Sequence, residues 1–84
     1  MSSNEKLLMK VLSGRQDASV QFSELQRLLE LLGFECRIKG DHFIYTNPDV
    51  EEIINIQPVN GKAKPYQVKQ VRYLILKYKL GGGF

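Results

Sequence analysis

The chain has 84 residues, of which 43% are hydrophobic and 25% are charged, and its net charge is +3. These values are typical of one folded domain with a modest core, and they exclude a largely disordered chain. A single cysteine and a single histidine exclude an internal disulfide and a zinc site made of those two residue types. No stretch approaches the roughly 20 apolar residues of a membrane-spanning helix, and the first residues do not resemble a secretory leader. We therefore expect a cytoplasmic protein.

The charge is distributed unevenly along the chain. Residues 1–52 carry six Lys or Arg and nine Asp or Glu, a balance of −3, whereas residues 53–84 carry six Lys or Arg and no acid, a balance of +6. A basic C-terminal third is typical of a surface that binds nucleic acid, and it is equally typical of a solvated helix face. Charge alone does not choose between the two.

A first helix is predicted near the N-terminus. Ser2 and Glu5 have the spacing of a capping box, and apolar residues then recur at helical spacing. The helix is expected to end at Ser13-Gly14, and the residues up to Val20 are expected to form a linker.

A second helix is predicted from Ser23, with Ser23 as its N-cap and Gln26 as the capping-box partner. Its apolar residues follow at spacings of three and four, which predicts one buried stripe; they are Leu25, Leu28, Leu29 and Leu32. Gly33 is well placed to end the helix in the left-handed conformation.

Three short strands are predicted next, at Phe34–Lys39, His42–Thr46 and Glu52–Gln57. Gly40-Asp41 and Asn47-Pro48-Asp49 are turn signals between them, and connections this short predict an antiparallel meander. In the first strand we expect Cys36 to be a small buried residue between Phe34 and Ile38, because these three alternate with charged residues.

A last helix is expected to begin at Pro65, which suits a first turn, and to stop near Leu80 before three glycines. The order of elements predicts an α+β domain, with a three-stranded antiparallel sheet and helices packed on one of its faces. We interpret the chain as one domain: residues 1–21 an N-terminal helix and linker, residues 22–80 the core, and residues 81–84 a flexible tail.

His42 is the candidate for chemistry. It follows a glycine at the start of an aromatic strand, so its ring is mounted on a rigid element, and histidine transfers protons near neutral pH. Alternation predicts that Phe43 and Tyr45 face the core and that His42 faces solvent together with Ile44, near Ile53 of the next strand. An ordinary surface histidine is the simpler interpretation of the same pattern.

A basic loop, Gly61 to Tyr66, is expected to be mobile and to run into the N-terminus of the last helix. Helix N-termini favour phosphate, and Lys62 and Lys64 add positive charge. A polar connection without a ligand explains the loop equally well. No cofactor is predicted. The acids Asp49, Glu51 and Glu52 cluster near the second hairpin, where adjacent carboxylates could bind a metal weakly; solvation of a turn and an edge strand is the favoured explanation.

One stretch of sequence resembles a known family. Gly40-Asp41-His42, the Pro-containing turn, a third strand ending in Gln57-Pro58, and the segment Lys64–Arg72 together resemble the HicA, or YcfA-like, toxin family over about residues 22 to 80. The resemblance implies a fold like that of double-stranded-RNA-binding domains, to which the N-terminal helix is an addition. In many members a small residue stands where this chain has Asp41, and some have a second histidine where it has Phe43.

The resemblance also implies a function. It implies a toxin of a type II toxin–antitoxin pair that cleaves mRNA without a metal, with His42 as the catalytic residue and a HicB-type antitoxin as partner. We predict RNA-binding residues that bring positive charge or close backbone approach: Lys39, Gly40, Lys62, Lys64, Lys69 and Arg72. We predict that Ile44 and Ile53 contact the antitoxin. Tyr45, a lysine or water could serve as general acid. The alternative function is a non-catalytic RNA-binding module of similar fold.

Overall fold

The computed structural model describes residues 3–82. Its elements are α1 (Ser3–Ser13), a single 3-10 turn (Asp17–Ser19), α2 (Phe22–Leu31), β1 (Glu35–Lys39), β2 (His42–Asn47), β3 (Val50–Ile56) and α3 (Pro65–Tyr78). The strands form one antiparallel sheet in the order β1-β2-β3. The predicted α+β fold is confirmed, whereas the likeness to double-stranded-RNA-binding domains and the division into residues 1–21, 22–80 and 81–84 stay predictions. Within residues 3–82, no helix is long and apolar enough to cross a membrane.

The helices cover one face of the sheet, and the core lies between them. Tyr45 of β2 stands opposite Ile54 of β3, both fully buried, and Phe43 stands opposite Ile56. The Phe22 ring of α2 meets the Phe43 ring edge-on, with centroids 5.1 Å apart. The predicted inward and outward faces of β2 and β3 are therefore confirmed, with His42 on the face that carries no helix. Residues of α1 belong to the same core cluster.

Strand β1 departs from its prediction. Every one of its residues is exposed, including Cys36 and Ile38, although Phe34 just before it is buried. The alternation is correct, because Cys36 stands opposite Tyr45 and Ile38 opposite Phe43 on the helix-side face. The helices cover β2 and β3 but leave this edge strand uncovered, so the prediction of a buried Cys36 is wrong.

Two helix boundaries also differ. The N-cap of α2 is Gln21, whose backbone N–H donates to Glu24 Oε1 at 2.9 Å, so the prediction of Ser23 as N-cap is wrong by two residues. Helix α3 ends at Tyr78, slightly earlier than predicted, because Lys79 adopts a φ of +53° and Leu80 donates back to the Ile75 carbonyl. The predicted Ser2 cap and residues 83–84 of the predicted tail lie outside the described residues.

Candidate functional site

The turn between β1 and β2 sets the position of the histidine. Gly40 has a φ of +63°, the value needed at the first central position of a type II′ hairpin turn. This two-residue turn closes the hairpin so that Lys39 stands directly opposite His42. His42 is therefore the first residue of β2, on the solvent face, with a lysine beside it.

Side chains from the turn and from β3 surround the imidazole. Nδ1 of His42 lies 3.0 Å from Oδ1 of Asn55, and Nε2 lies 3.7 Å from Oδ1 of Asp41. Asp41 is held in turn, since its Oδ2 accepts a hydrogen bond from Gln57 Nε2 at 2.9 Å. The His42 side chain stays 46% exposed. The ring is thus oriented by the β1–β2 turn and by β3, and it is still reachable by a large substrate.

This arrangement suits proton transfer. A hydrogen bond from Nδ1–H to the Asn55 carbonyl oxygen leaves Nε2 as the nitrogen that accepts a proton. The carboxylate of Asp41 lies on the side of Nε2, with its Oδ1 3.7 Å from that nitrogen. The same carboxylate repels an incoming phosphate, so cations must offset it at this site.

Strand β1 places cations on the sheet face of His42. Lys39, Gly40, Asp41, His42, Ile44 and Asn55 line a shallow concavity of about 440 Å³. Arg37 stands opposite Ile44, so it shares the solvent face with Lys39. The wall is open at Gly40, because a Cβ built there would meet nothing within 4 Å.

Sequence reasoning missed Arg37, Asn55 and Gln57 as neighbours of the site. Alternation had already placed all three on outward positions of their strands. It could not place them beside His42, because that requires the register of β2 with β1 and β3.

Ile44 and Ile53 share the solvent face of the sheet. Ile44 is half-buried and stands opposite Asn55, whereas Ile53 lies two residues earlier on β3 and is 62% exposed. Together they place two apolar side chains on the sheet face that carries no helix. Their contact with an antitoxin stays a prediction.

The basic loop before α3 contains a hydrogen-bonded turn. Asn60 and Gly61 both have positive φ, and Val59 and Lys62 exchange backbone hydrogen bonds across them, which is a tight two-residue turn. The Gly61 carbonyl accepts from the N–H of Phe22 at 3.0 Å. The Asn-Gly dipeptide was the available signal for this turn, and the mobility of the loop stays a prediction.

This loop follows β3 from the same end of the sheet as His42, since Ile56 pairs with Phe43. Lys62 is exposed, and Lys64 Nζ lies 5.8 Å from the centre of the Tyr66 ring. Both lysines extend the positive charge at this end, and their RNA contacts stay a prediction.

The two predicted cations of α3 differ from each other. Lys69 is exposed on the helical layer, behind the sheet face that carries His42. Arg72 donates from Nη1 and Nη2 to both carboxylate oxygens of Asp17, at 2.8 and 3.2 Å, and from Nη1 to the Val11 carbonyl at 3.1 Å. Asp17 raises the pKa of Arg72 through this hydrogen bond. Arg72 thus fastens α1 and the 3-10 turn to the core, and we do not include it in the proposed RNA surface.

Tyr45 is not placed to act as general acid. It is fully buried on the helix side of β2, opposite in direction to His42, and its hydroxyl has no hydrogen-bond partner among the described residues. Burial raises the pKa of this phenol well above its usual value. Among residues 3–82, no group of three or more His, Cys, Asp and Glu side chains is placed to hold a metal ion.

The described residues define a small α+β protein with one oriented, solvent-accessible histidine beside basic side chains on an open sheet face. The family model of the HicA toxins of bacterial toxin–antitoxin systems matches residues 22–78. The chain therefore belongs to the HicA toxin family, which confirms the predicted resemblance. Comparison with curated proteins and with solved structures gave no match.

Proposed function

We propose that this protein is an endoribonuclease that cleaves mRNA without a metal ion, with His42 as the general base. The observation that carries the proposal is the geometry of His42. Its ring is held at Nδ1 by Asn55 at 3.0 Å, and Nε2 lies 3.7 Å from Asp41 Oδ1 on a side chain that is 46% exposed and stands opposite Lys39. Membership of a toxin family supports it.

RNA supplies the nucleophile for this reaction. His42 Nε2 removes the proton of a ribose 2′-OH while the 2′-oxygen forms a bond to the adjacent phosphorus. The bond from phosphorus to the 5′-oxygen breaks, and that oxygen leaves with a proton from water or a protonated side chain. Lys39 and Arg37 stabilise the negative charge that develops on the non-bridging oxygens. The products are a 2′,3′-cyclic phosphate and a 5′-hydroxyl end.

The test uses the purified protein, a long RNA and EDTA. General base catalysis contributes roughly 10²–10⁴-fold, so we expect His42→Ala to lose at least about a hundredfold in cleavage rate. A 2′-deoxy substitution at the cleaved nucleotide should abolish cleavage, and the cut ends should carry the cyclic phosphate. A His42→Ala variant that is folded and cleaves at the wild-type rate would contradict the assignment.

The same experiment separates the alternative, a non-catalytic RNA-binding module. Such a module predicts RNA binding that weakens with salt, no new RNA ends, and no effect of His42→Ala on either measurement. If EDTA abolishes cleavage, the protein is still a nuclease, but the metal-independent mechanism is contradicted.

We further propose that the partner is a HicB-type antitoxin that covers the His42 face. Ile44 and Ile53 support this, because a partner that buries them also closes the concavity above His42. Ile53→Asp and Ile44→Asp should each weaken antitoxin binding by tenfold or more, because each would bury a carboxylate without a partner.

Leu76 offers a matched control for this experiment. It is 65% exposed, close to the 62% of Ile53, but it lies on α3 behind the sheet. Leu76→Asp should leave antitoxin affinity unchanged. Equal losses for Leu76→Asp and Ile53→Asp would place the antitoxin elsewhere.

A further inference from the structure

The outer edge of β1 is an uncovered surface. No other strand of residues 3–82 pairs with this edge, since the sheet order is β1-β2-β3 and β1 pairs with β2 alone. Its helix-side face is also bare: Ile38 is 66% exposed and Cys36 is exposed, although the positions beside them on β2 belong to the core. The apolar face of the sheet thus continues one strand beyond the helices that cover it. A bare edge of this kind is a template for pairing with another chain.

The backbone of β1 determines which groups are free. In a two-residue hairpin the closing pair, Lys39 with His42, exchanges hydrogen bonds, and the pattern alternates from there along an antiparallel ladder. The N–H and C=O groups of Cys36 and Ile38 therefore point away from β2. The N–H of Phe34 cannot pair with another chain, because it already donates to the Leu29 carbonyl at 3.0 Å. Hydrogen bonding to a second chain is therefore limited to the residues after Phe34.

The charges of β1 are complementary to a second copy of β1. If two copies pair antiparallel about Cys36, Glu35 of each copy stands opposite Arg37 of the other. Ile38 then stands opposite Phe34 of the second copy, so an exposed apolar residue gains an apolar neighbour. Opposite charges directly across an antiparallel pair are stabilising, and like charges are destabilising.

The alternative register is less favourable. Pairing centred on Arg37 would set the two Arg37 side chains directly against each other and leave each Glu35 opposite Lys39. The register centred on Cys36 has two attractive pairs and no repulsive one, and its central pair uses backbone groups that are free.

We propose that this protein self-associates through β1, with the strands of two copies paired antiparallel about Cys36. The three-stranded sheets then become one six-stranded sheet with both helical layers on the same face. Both His42 residues lie on the opposite, open face, about 25 Å apart from strand spacing and rise. Two cleavage sites on one face could engage the same RNA strand. The interface is small, so the association is weak and depends on concentration.

The first test measures mass against concentration by sedimentation equilibrium, with the reduced full-length chain. We expect a monomer–dimer equilibrium for the wild type and about tenfold weaker association for Glu35→Arg and for Arg37→Glu, each of which sets like charges opposite each other. The double variant Glu35→Arg/Arg37→Glu restores both attractive pairs and should recover the wild-type association. Both positions are exposed, so the monomer fold is unaffected.

A monomer at all concentrations would overturn the proposal. Dimers that are insensitive to both single variants, or a double variant that fails to recover, would overturn it as well. If Glu35→Arg weakens antitoxin binding while the wild-type chain remains monomeric, the edge receives an antitoxin strand, and the proposal of a second copy is wrong.

The second test uses Cys36 as a reporter of register. A directly opposed hydrogen-bonded pair has Cα atoms about 5.5 Å apart, within the range for a disulfide. Mild oxidation should therefore link wild-type dimers faster than a Cys36→Ser/Met9→Cys control, whose cysteine replaces an exposed residue of α1. Glu35→Arg should slow the linking of Cys36. Equal rates for the wild type and the control would overturn the register. These readouts do not depend on ribonuclease activity, so they stand or fall separately from it.

Discussion

Nδ1 of His42 lies 3.0 Å from Oδ1 of Asn55, so the first residue of β2 is oriented by a side chain of β3. The two residues are 13 positions apart in the chain. Asn55 stands opposite Ile44 in the sheet. Because His42 lies two residues before Ile44 on the same face of β2, the Asn55 side chain reaches the imidazole. The open nitrogen of the histidine therefore has its direction set by the register of the sheet.

Asn55→Ala should lower kcat for RNA cleavage by about 10- to 100-fold, because a ring that is free to rotate presents Nε2 correctly only part of the time. KM should change little, since Asn55 carries no charge that holds RNA. The measurement is single-site cleavage kinetics with a labelled RNA. Thr46→Ala is the control, because Thr46 is exposed on the same face of β2 as His42. This variant should leave kcat and KM unchanged. Wild-type kcat in Asn55→Ala would show that Asn55 does not position the base.

Arg37 and Lys39 should hold RNA more strongly than Lys69 does. Both lie on the sheet face of His42, whereas Lys69 is exposed on α3. In a His42→Ala background, which spares the substrate, Arg37→Ala or Lys39→Ala should reduce the slope of log K against log salt by about 0.7 for each lost phosphate contact. Lys69→Ala should leave the slope unchanged. A larger loss for Lys69→Ala than for Lys39→Ala would move the RNA surface to the helical layer.

The faces of the strands could be predicted from the sequence because alternation has a fixed period. Alternation, with the two aromatic residues of β2 assigned to the buried face, predicts Tyr45 and Ile54 inward and His42 outward, and the structure agrees. Alternation also placed Cys36 correctly on the helix-side face. It could not show that this face is bare at β1, because coverage depends on how far the helices extend across the sheet.

The environment of His42 could be predicted only in part for a similar reason. Lys39 and Gly40 adjoin His42 through a short turn, so their closeness follows from the sequence. Asn55 of β3 and Gln57, the residue just after β3, reach the site because β3 pairs with β2, which no local pattern specifies. Arg72 is the opposite case: its charge suggested a ligand, but Asp17, 55 positions away, binds it inside the fold.

The contact between Arg72 and Asp17 should contribute to stability. The two side chains are only 19% and 11% exposed, and the pair is bidentate. Asp17→Ala leaves a mostly buried guanidinium without its carboxylate, so we expect the free energy of unfolding to fall by about 2 kcal/mol. Urea unfolding measures this, with Lys69→Ala as a surface control expected to stay within about 0.5 kcal/mol.

The same pair of variants tests the role of Arg72 in RNA binding. If Arg72 serves only the fold, Arg72→Ala and Asp17→Ala should lower stability similarly and leave the RNA affinity of the folded fraction unchanged. RNA affinity that falls for Arg72→Ala but not for Asp17→Ala would return Arg72 to the RNA surface.

The contact between β3 and the end of α3 should make stability depend on pH. Lys77 Nζ lies 2.8 Å from Glu52 Oε2, and the Tyr78 hydroxyl donates to Glu52 Oε1 at 2.5 Å. The hydrogen bond from Lys77, followed by that from Tyr78, lowers the pKa of Glu52 below its ordinary value of 4.5. A carboxylate with a lowered folded-state pKa contributes its full stability above the unfolded-state pKa and loses it as the pH falls through the folded-state pKa.

The Tm of the wild type should therefore exceed that of Glu52→Gln at pH 7, and the gap should close as the pH falls below about 4.5. Thermal melts between pH 7 and pH 3 measure the gap, and Glu51→Gln, an exposed neighbour, controls for general acid denaturation. A gap that stays constant down to pH 3 would mean that the ionised form of Glu52 does not hold β3 to α3.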